Sequence, residues 1–267
     1  MIIKPLAWLA CATAIGTGST AGAVPPEVLK DLAPGGALKA AINFGNPVLA
    51  QKDAATGEPR GVSADLAREL ARRLGVQPAF IAFDAAGKVF DALKTGAWDV
   101  AFLAIEPERA AEIDFSAPYV VIEGTYLVRS DSPLQRIEDV DRDGVRVAVG
   151  NKSAYDLFLT RNLQHARIVR APTSAAAIEL FVKDGLECAA GVKQPLVDFA
   201  KSHSGMRVME GRFMAIEQAM GTPKGRSAGV RYLHDFIEEM KSSGFVAAAL
   251  ARSGQSAAQV APPATGR

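Results

Sequence analysis

Cysteine and histidine are scarce in this chain of 267 residues, which contains two cysteines and three histidines. Cys11 lies in an N-terminal segment that we expect to be removed, so Cys188 is left alone and no internal disulfide can form. The histidines show no HExxH spacing and have no cysteine partners, so we expect no metal site. No GxGxxG or Walker motif occurs, so the sequence indicates no cofactor.

Neither positive nor negative charge predominates, because the chain has 30 Lys and Arg residues and 29 Asp and Glu residues and contains no basic block. A nucleic-acid-binding protein usually presents a basic patch, so we expect no nucleic-acid partner. Apolar residues make up 49% of the chain and charged residues 22%. This composition is typical of an ordinary folded protein rather than of a disordered one.

The N-terminal apolar run is too short, and too broken by glycine and threonine, to span a membrane. Lys4 precedes this Ala-rich run over residues 5–18, and small residues follow up to Ala23. That order is typical of a secretory signal peptide, residues 1–23, and predicts export to the periplasm. The alternative is a lipoprotein attached through Cys11, although residues 8–11 (WLAC) fit a lipid-attachment box poorly.

Strand and helix patterns alternate along the rest of the chain, which is typical of an α/β fold with a mostly parallel sheet. One series begins at residue 38 and a second begins at Val145, and extended segments near Val128 and Met214 join them. We therefore predict two lobes with two hinge crossovers and a ligand cleft between them.

The crossovers divide the chain into parts. We expect residues 24–128 and 214–252 to form lobe 1 and residues 129–213 to form lobe 2. Residues 253–267 contain Ala, Gln, Pro and Gly without periodicity, so we expect a disordered tail there.

The segment over residues 98–119 has the clearest functional pattern and reads WDVAFLAIEPERAAEIDFSAPY. A short apolar strand ends before Pro107, which is well suited to the first position of a helix. Arg109 then lies in the opening turn, at the carboxyl end of a strand, where ligands bind in open α/β sheets. A guanidinium there can bind a carboxylate. The alternative is a surface ion pair with Glu106 or Glu112.

Several segments resemble, in order and spacing, the polar amino-acid-binding family (family 3) of periplasmic solute-binding proteins of ABC importers. They are residues 61–67 (GVSADLA), 90–100 (FDALKTGAWDV), 107–109 (PER) and 114–119 (DFSAPY). The resemblance covers about residues 37–252 and implies a type II periplasmic binding protein-like fold. It also implies a membrane ABC permease as the partner and a monomer that captures a small polar or carboxylate solute by cleft closure, without catalysis.

The resemblance also assigns candidate ligand-binding residues. In that family the arginine of the PER motif clamps the ligand carboxylate, and Arg109 stands at that position. Asn151 and Ser153 stand in a loop that cradles the same carboxylate from the other lobe in relatives, although Ser153 also suits a helix N-cap alone. Phe44 and Asn46 stand where relatives place side chains over the ligand.

This chain departs from the family at positions that recognise an α-amino group. Residues 191–195 read GVKQP and contain no aspartate to pair with an ammonium group, and Lys193 would favour an anion if it faces the cleft. Glu106 or Glu123 is the alternative partner for an amine, and Tyr155 either stacks on the ligand or packs in the core. The sequence therefore leaves open whether the ligand is an amino acid or a related organic acid.

An enzyme on the same fold is the alternative function, namely a periplasmic lyase similar to cyclohexadienyl dehydratase. Such a lyase needs a general acid in the cleft. Glu106 and Glu123 are the candidates that the sequence offers. A sensory ligand-binding module is a third possibility, but the sequence shows no transmembrane segment or kinase domain fused to it.

Overall fold

The computed structural model describes residues 23–264. Apart from Ala23, the expected signal peptide lies outside the described residues, as do residues 265–267 at the end of the expected tail. In the part that is described, no helix is long and apolar enough to cross a membrane.

Helices and strands alternate along the described chain. The helices are α1 (Pro26–Leu32), α2 (Val62–Leu74), α3 (Ala86–Asp91), α4 (Pro107–Ala110), α5 (Ala154–Asn162), α6 (Ser174–Lys183), α7 (Lys193–Ser202), α8 (Ser227–Ser242) and α9 (Phe245–Arg252). The strands are β1 (Ala37–Asn43), β2 (Gln51–Lys52), β3 (Pro59–Arg60), β4 (Gln77–Phe83), β5 (Val100–Ala104), β6 (Ile113–Arg129), β7 (Arg146–Gly150), β8 (Arg167–Ala171), β9 (Cys188–Val192), β10 (Met206–Val208), β11 (Met214–Pro223) and β12 (Gln259–Val260).

The main sheet has the strand order β4-β1-β5-β11-β6-β9-β7-β8. Pairing is parallel within β4-β1-β5 and within β9-β7-β8, which are the sheets of the first and the second lobe. β11 is antiparallel to β5 and β6, and β6 is antiparallel to β9. The chain therefore has two α/β units of the predicted kind, connected by long antiparallel strands.

Strand β6 spans 17 residues and runs from one lobe into the other. It pairs with β11 as far as Gly124, and from Gly124 to Leu127 it pairs with β9. β11 begins opposite Gly124, so the two crossovers lie side by side. A Cβ on Gly124 would lie 2.9 Å from Cγ of Met214, which is why a glycine is needed at this point. The extended segment expected near Val128 is thus the end of this strand.

Helix α2 shows why the first lobe packs as it does. Its leucines at a spacing of four residues form a continuous apolar stripe, and Leu66 and Leu70 are fully buried. The helix ends at Gly75, whose φ of 69° is the left-handed conformation that glycine adopts without strain. Helices α8 and α9 cover the same core from the other end of the sequence.

The prediction of a disordered tail over residues 253–267 is wrong for the part that the structure describes. Strand β12 pairs antiparallel with Val120–Val121 of β6, and the Ala261 amide donates to the Tyr119 carbonyl at 3.1 Å. These are backbone hydrogen bonds, which any side chain permits. A strand of two residues is too short to show a periodic pattern, so it could not be predicted from the sequence.

The buried stripe of α2 leads to a stability prediction. We expect Leu70→Ala to lower the free energy of unfolding by about 2–5 kcal/mol, because it leaves a cavity in the first-lobe core. Urea unfolding followed by circular dichroism measures this change. Arg72→Ala, on the same helix with a side chain 70% exposed, is the control and should change stability by about 0.5 kcal/mol or less. Equal effects of the two substitutions would contradict the assignment of the buried face.

Candidate functional site

Arg109 lies inside the protein, on the short helix α4 that follows β5, and is only 1% exposed. Its Nη1 donates to the Ala104 carbonyl at 3.1 Å, in its own lobe. Its Nη2 donates across the cleft to the Lys152 carbonyl at 2.9 Å. Its Nε is buried and has no hydrogen-bond partner among the described residues. A charged group with unused donors therefore sits where the two lobes meet.

Burial lowers the pKa of the Arg109 guanidinium to about 10, while the charges of Glu106 and Glu108 oppose this effect. The group remains a cation at neutral pH. A buried cation without a paired anion costs free energy, and an anion placed at the free donors would offset that cost. The surface ion pair with Glu106 or Glu112 does not form, since Arg109 has no ion-pair partner in the described part of the chain.

A cavity of about 40 Å³ lies against Arg109 between the lobes, and we call it the Arg109 cavity. The first lobe contributes Asn46, Phe102, Arg109 and Gln218 to its wall, and the second lobe contributes Asn151, Ser153 and Tyr155. This space holds a few water molecules at about 10–15 Å³ each, and it is much smaller than a typical ligand pocket. The structure therefore shows the lobes in a closed arrangement.

A second cavity of about 350 Å³ adjoins the first, and Asn46, Tyr155 and Ser174 line both. Its remaining wall is mostly apolar, and we call it the apolar cavity. Phe44 lines it from the first lobe, and Ile178 lines it from the second. Its volume falls in the range of about 300–1,000 Å³ that is usual for small-molecule sites.

The second-lobe loop before α5 is held in a fixed shape. Ser153 caps α5, because its Oγ accepts from the Asp156 amide at 3.0 Å. Lys152 has a φ of 55°, which is uncommon for a residue other than glycine. The buried Asp156 carboxylate accepts from the Lys152 amide at 2.8 Å and also binds Arg170. This turn directs the Lys152 carbonyl toward Arg109.

Further contacts cross between the lobes. Lys152 Nζ pairs with Asp91 at 2.7 Å, and Arg161 pairs with the buried Glu106 at 2.5 Å. Gly87 at the start of α3 packs against the same loop, where an added Cβ would lie 2.7 Å from Cβ of Lys152. These contacts can exist only while the lobes are together.

Most of the residues expected to bind ligand surround these two cavities. Phe44 lines the apolar cavity, and the Arg109 cavity is lined by Asn46, Arg109, Asn151, Ser153 and Tyr155. Tyr155 is buried, and its hydroxyl donates to Ser174 Oγ at 2.7 Å. It therefore packs in the core and at the same time lines the Arg109 cavity.

Glu106, Glu123 and Lys193 lie outside the walls of both cavities. Glu106 is occupied by Arg161. Glu123 pairs with Lys193 at 2.8 Å and with Arg212 at 3.2 Å, beside the crossovers, and the Lys193 contact lowers the pKa of Glu123. Each of these side chains has a partner of opposite charge, and their contact with a ligand stays a prediction.

Gln218 is a cavity residue that the sequence analysis did not select. It is buried on β11 and lines the Arg109 cavity. It is one of three polar side chains in this mostly apolar strand, with Glu217 and Thr222, so the sequence pattern indicates it only weakly. Thr173 and Ser174 also reach the cavity, and Thr173 caps α6 through its Oγ.

Two lobes, two crossovers and a buried arginine between them define the class of two-lobed solute-binding proteins. Within this class, residues 39–254 match the bacterial extracellular solute-binding proteins, family 3, and the chain belongs to that family. No curated protein sequence matches the chain.

Solved structures of low sequence identity share this fold. A mutant of ArgBP from T. maritima is 21% identical, with a TM-score of 0.73 over 85% of this chain and 99% of the other. An amino acid ABC transporter substrate-binding protein from Streptococcus pneumoniae, bound to L-arginine, is 16% identical, with a TM-score of 0.72 over 88% and 99%.

A third similar structure is the ancestral amino acid-binding protein AncCDT-1, described as a precursor of cyclohexadienyl dehydratase. It is 24% identical, with a TM-score of 0.71 over 84% of this chain and 97% of the other. Together these structures confirm the predicted two-lobed type II periplasmic binding protein-like fold.

The packing of Gly87 leads to a prediction about closure. We expect Gly87→Ala to favour a more open arrangement, because its Cβ would overlap Lys152 only in the closed form. Small-angle X-ray scattering should then give a larger radius of gyration than for the unsubstituted protein. Gly35→Ala is the control, since nothing lies within 4 Å of a Cβ there. Identical scattering from both variants would contradict the closed packing at Gly87.

Proposed function

We propose that this protein is exported, captures a small polar or carboxylate solute such as an amino acid or a related organic acid, and delivers it to the permease of an ABC importer. One observation carries the proposal. Arg109 is buried between the lobes, keeps its Nε free, and lines a cavity to which both lobes contribute. A carboxylate is the ligand group that best matches a guanidinium with unused donors.

The two lobes would hold the same carboxylate. Arg109 approaches it from the first lobe, and the loop with Asn151 and Ser153 approaches it from the second. The hydrogen bond from Arg109 to the Lys152 carbonyl supports this arrangement, because it brings the guanidinium to that loop. A ligand that contacts both lobes binds the closed form more strongly than the open form, and so shifts the population toward closure.

The delivery step rests on the family. Its members are described as extracellular, and similar structures are substrate-binding proteins of amino acid ABC transporters. An N-terminal signal peptide over residues 1–23 would bring this chain to the periplasm as a monomer that meets a membrane permease.

The alternative is a lyase similar to cyclohexadienyl dehydratase, suggested by the likeness to AncCDT-1. Such a reaction needs a general acid at the ligand. Among the described residues that line the Arg109 cavity, none is a carboxylic acid, and both Glu106 and Glu123 are held in ion pairs elsewhere. Binding is therefore the function that the geometry favours. Turnover of prephenate or arogenate by the purified protein would establish the alternative instead.

Replacement of Arg109 tests the proposal. A thermal-shift screen of amino acids and organic acids selects a ligand, and isothermal titration calorimetry measures its affinity. We expect Arg109→Ala to weaken binding by at least about tenfold, since a charge-assisted hydrogen bond contributes about 1.5–3 kcal/mol.

Two companion variants sharpen this test. Arg109→Lys keeps the charge but loses the planar donor pair, so it should also weaken binding. Arg72→Ala removes a surface arginine on α2 and should leave the affinity unchanged. If Arg109→Ala binds as tightly as Arg72→Ala, Arg109 is not part of the site.

The expected signal peptide gives a separate prediction. Expression of the full chain in a bacterium with two membranes should give a periplasmic protein that begins at Val24, as measured by intact mass spectrometry. A lipid-modified Cys11 would appear instead as a membrane-bound product of higher mass. A full-length chain that starts at Met1 in the cytosol would contradict export.

A further inference from the structure

The charged residues around the two cavities differ strongly in burial. Among the described residues that line them, Arg109 is the only cation and Asp84 is the only anion. Asp84 lines only the apolar cavity, and its side chain is 60% exposed and pairs with Lys88 at 2.8 Å. The interior of the site therefore offers a positive charge for a ligand and no buried negative charge.

A buried ammonium group would be poorly supported in this environment. It would lose its hydration without gaining a carboxylate, and the charge of Arg109 nearby would repel it. Glu106 and Glu123 cannot serve as partners without first breaking their ion pairs with Arg161, Lys193 and Arg212. An α-ammonium group is thus disfavoured where an α-carboxylate is favoured.

Neutral polar groups take the place of the missing acid. The buried Oδ1 of Asn46 has no hydrogen-bond partner among the described residues, and the Gln218 amide lines the same cavity. A ligand hydroxyl both donates and accepts hydrogen bonds, so it can satisfy an amide in either orientation. A hydroxyl group therefore fits beside Arg109 better than an ammonium group does.

The apolar cavity indicates the rest of the ligand. Phe44 and Pro47 line it from the first lobe, and Ile178, Ala190 and Leu196 line it from the second. Its volume of about 350 Å³ exceeds that of the Arg109 cavity, and the two adjoin at the wall residues that they share. A carboxylate head at Arg109 would place an apolar body of the ligand in this space.

We propose that the site selects carboxylates that have an apolar body and no ammonium group, such as branched or aromatic 2-hydroxy acids. The carboxylate binds Arg109, the hydroxyl contacts the amides of Asn46 and Gln218, and the apolar body lies between Phe44 and Ile178. This inference rests on the proposed function and narrows its substrate class.

Pairs of ligands that differ in one group test the inference. The probes are 2-hydroxy-4-methylpentanoate against leucine, and phenyllactate against phenylalanine, each measured by isothermal titration calorimetry with the full mature protein. We expect the hydroxy acid to bind at least about tenfold more tightly in each pair, because only the amino acid must bury an uncompensated ammonium group. Equal or tighter binding of the amino acids overturns the inference.

Two sets of variants separate the remaining outcomes. Asp84→Asn tests the one anion among the described residues of the cavity wall: if the amino acid loses affinity and the hydroxy acid does not, Asp84 is an amine partner and the inference is overturned, whereas an unchanged ratio of the two affinities supports the inference. Ile178→Ala should weaken the binding of 2-hydroxy-4-methylpentanoate by about tenfold and leave the binding of lactate unchanged. Val182→Ala, on the exposed face of the same helix, is the matched control.

The inference and the proposed function can fail separately. If none of these probes binds but another carboxylate from the screen binds and depends on Arg109, the substrate class is wrong and carboxylate capture stands. If no carboxylate binds in an Arg109-dependent way, both are overturned.

Discussion

A buried guanidinium between two lobes is the constraint on which the rest of the site depends. Arg109 is removed from water, holds one carbonyl from its own lobe and one from the opposite lobe, and keeps a donor free. A charge in this position is costly unless the lobes close around a partner for it. Under the proposed function, closure and anion recognition would therefore be two results of the same burial.

Hydrogen bonds within the second lobe hold the loop opposite Arg109 in a fixed conformation. The carboxylate of Asp156 accepts from the Lys152 amide, and Ser153 caps the helix that follows. These bonds fix the left-handed turn at Lys152, whose side chain pairs with Asp91 and whose carbonyl meets Arg109. Lys152 thus belongs to the turn that precedes α5, forms an ion pair between the lobes and accepts a hydrogen bond from Arg109. A preformed loop of this kind reduces the entropy lost when a ligand binds.

The sequence predicted the parts of the molecule that depend on local patterns. Strand and helix periodicity gave the two α/β units, and the PER segment pointed to Arg109. The positions of Glu106 and Glu123 could not be predicted, because the partner Arg161 lies 55 residues from Glu106 and Arg212 lies 89 residues from Glu123. Gln218 was missed for the same reason, since β11 returns to the first lobe only after the whole second lobe has been formed. Pairings across such distances are decided by tertiary packing.

The short strand β12 has a consequence for how copies of this protein behave beside one another. Without it, β6 would expose backbone donors and acceptors at Val120 and Val121, where β12 now pairs. Exposed strand edges allow sheets of separate molecules to join and aggregate. By covering this segment with residues 259–260, the chain closes the strand edge at Val120 and Val121 to a second copy.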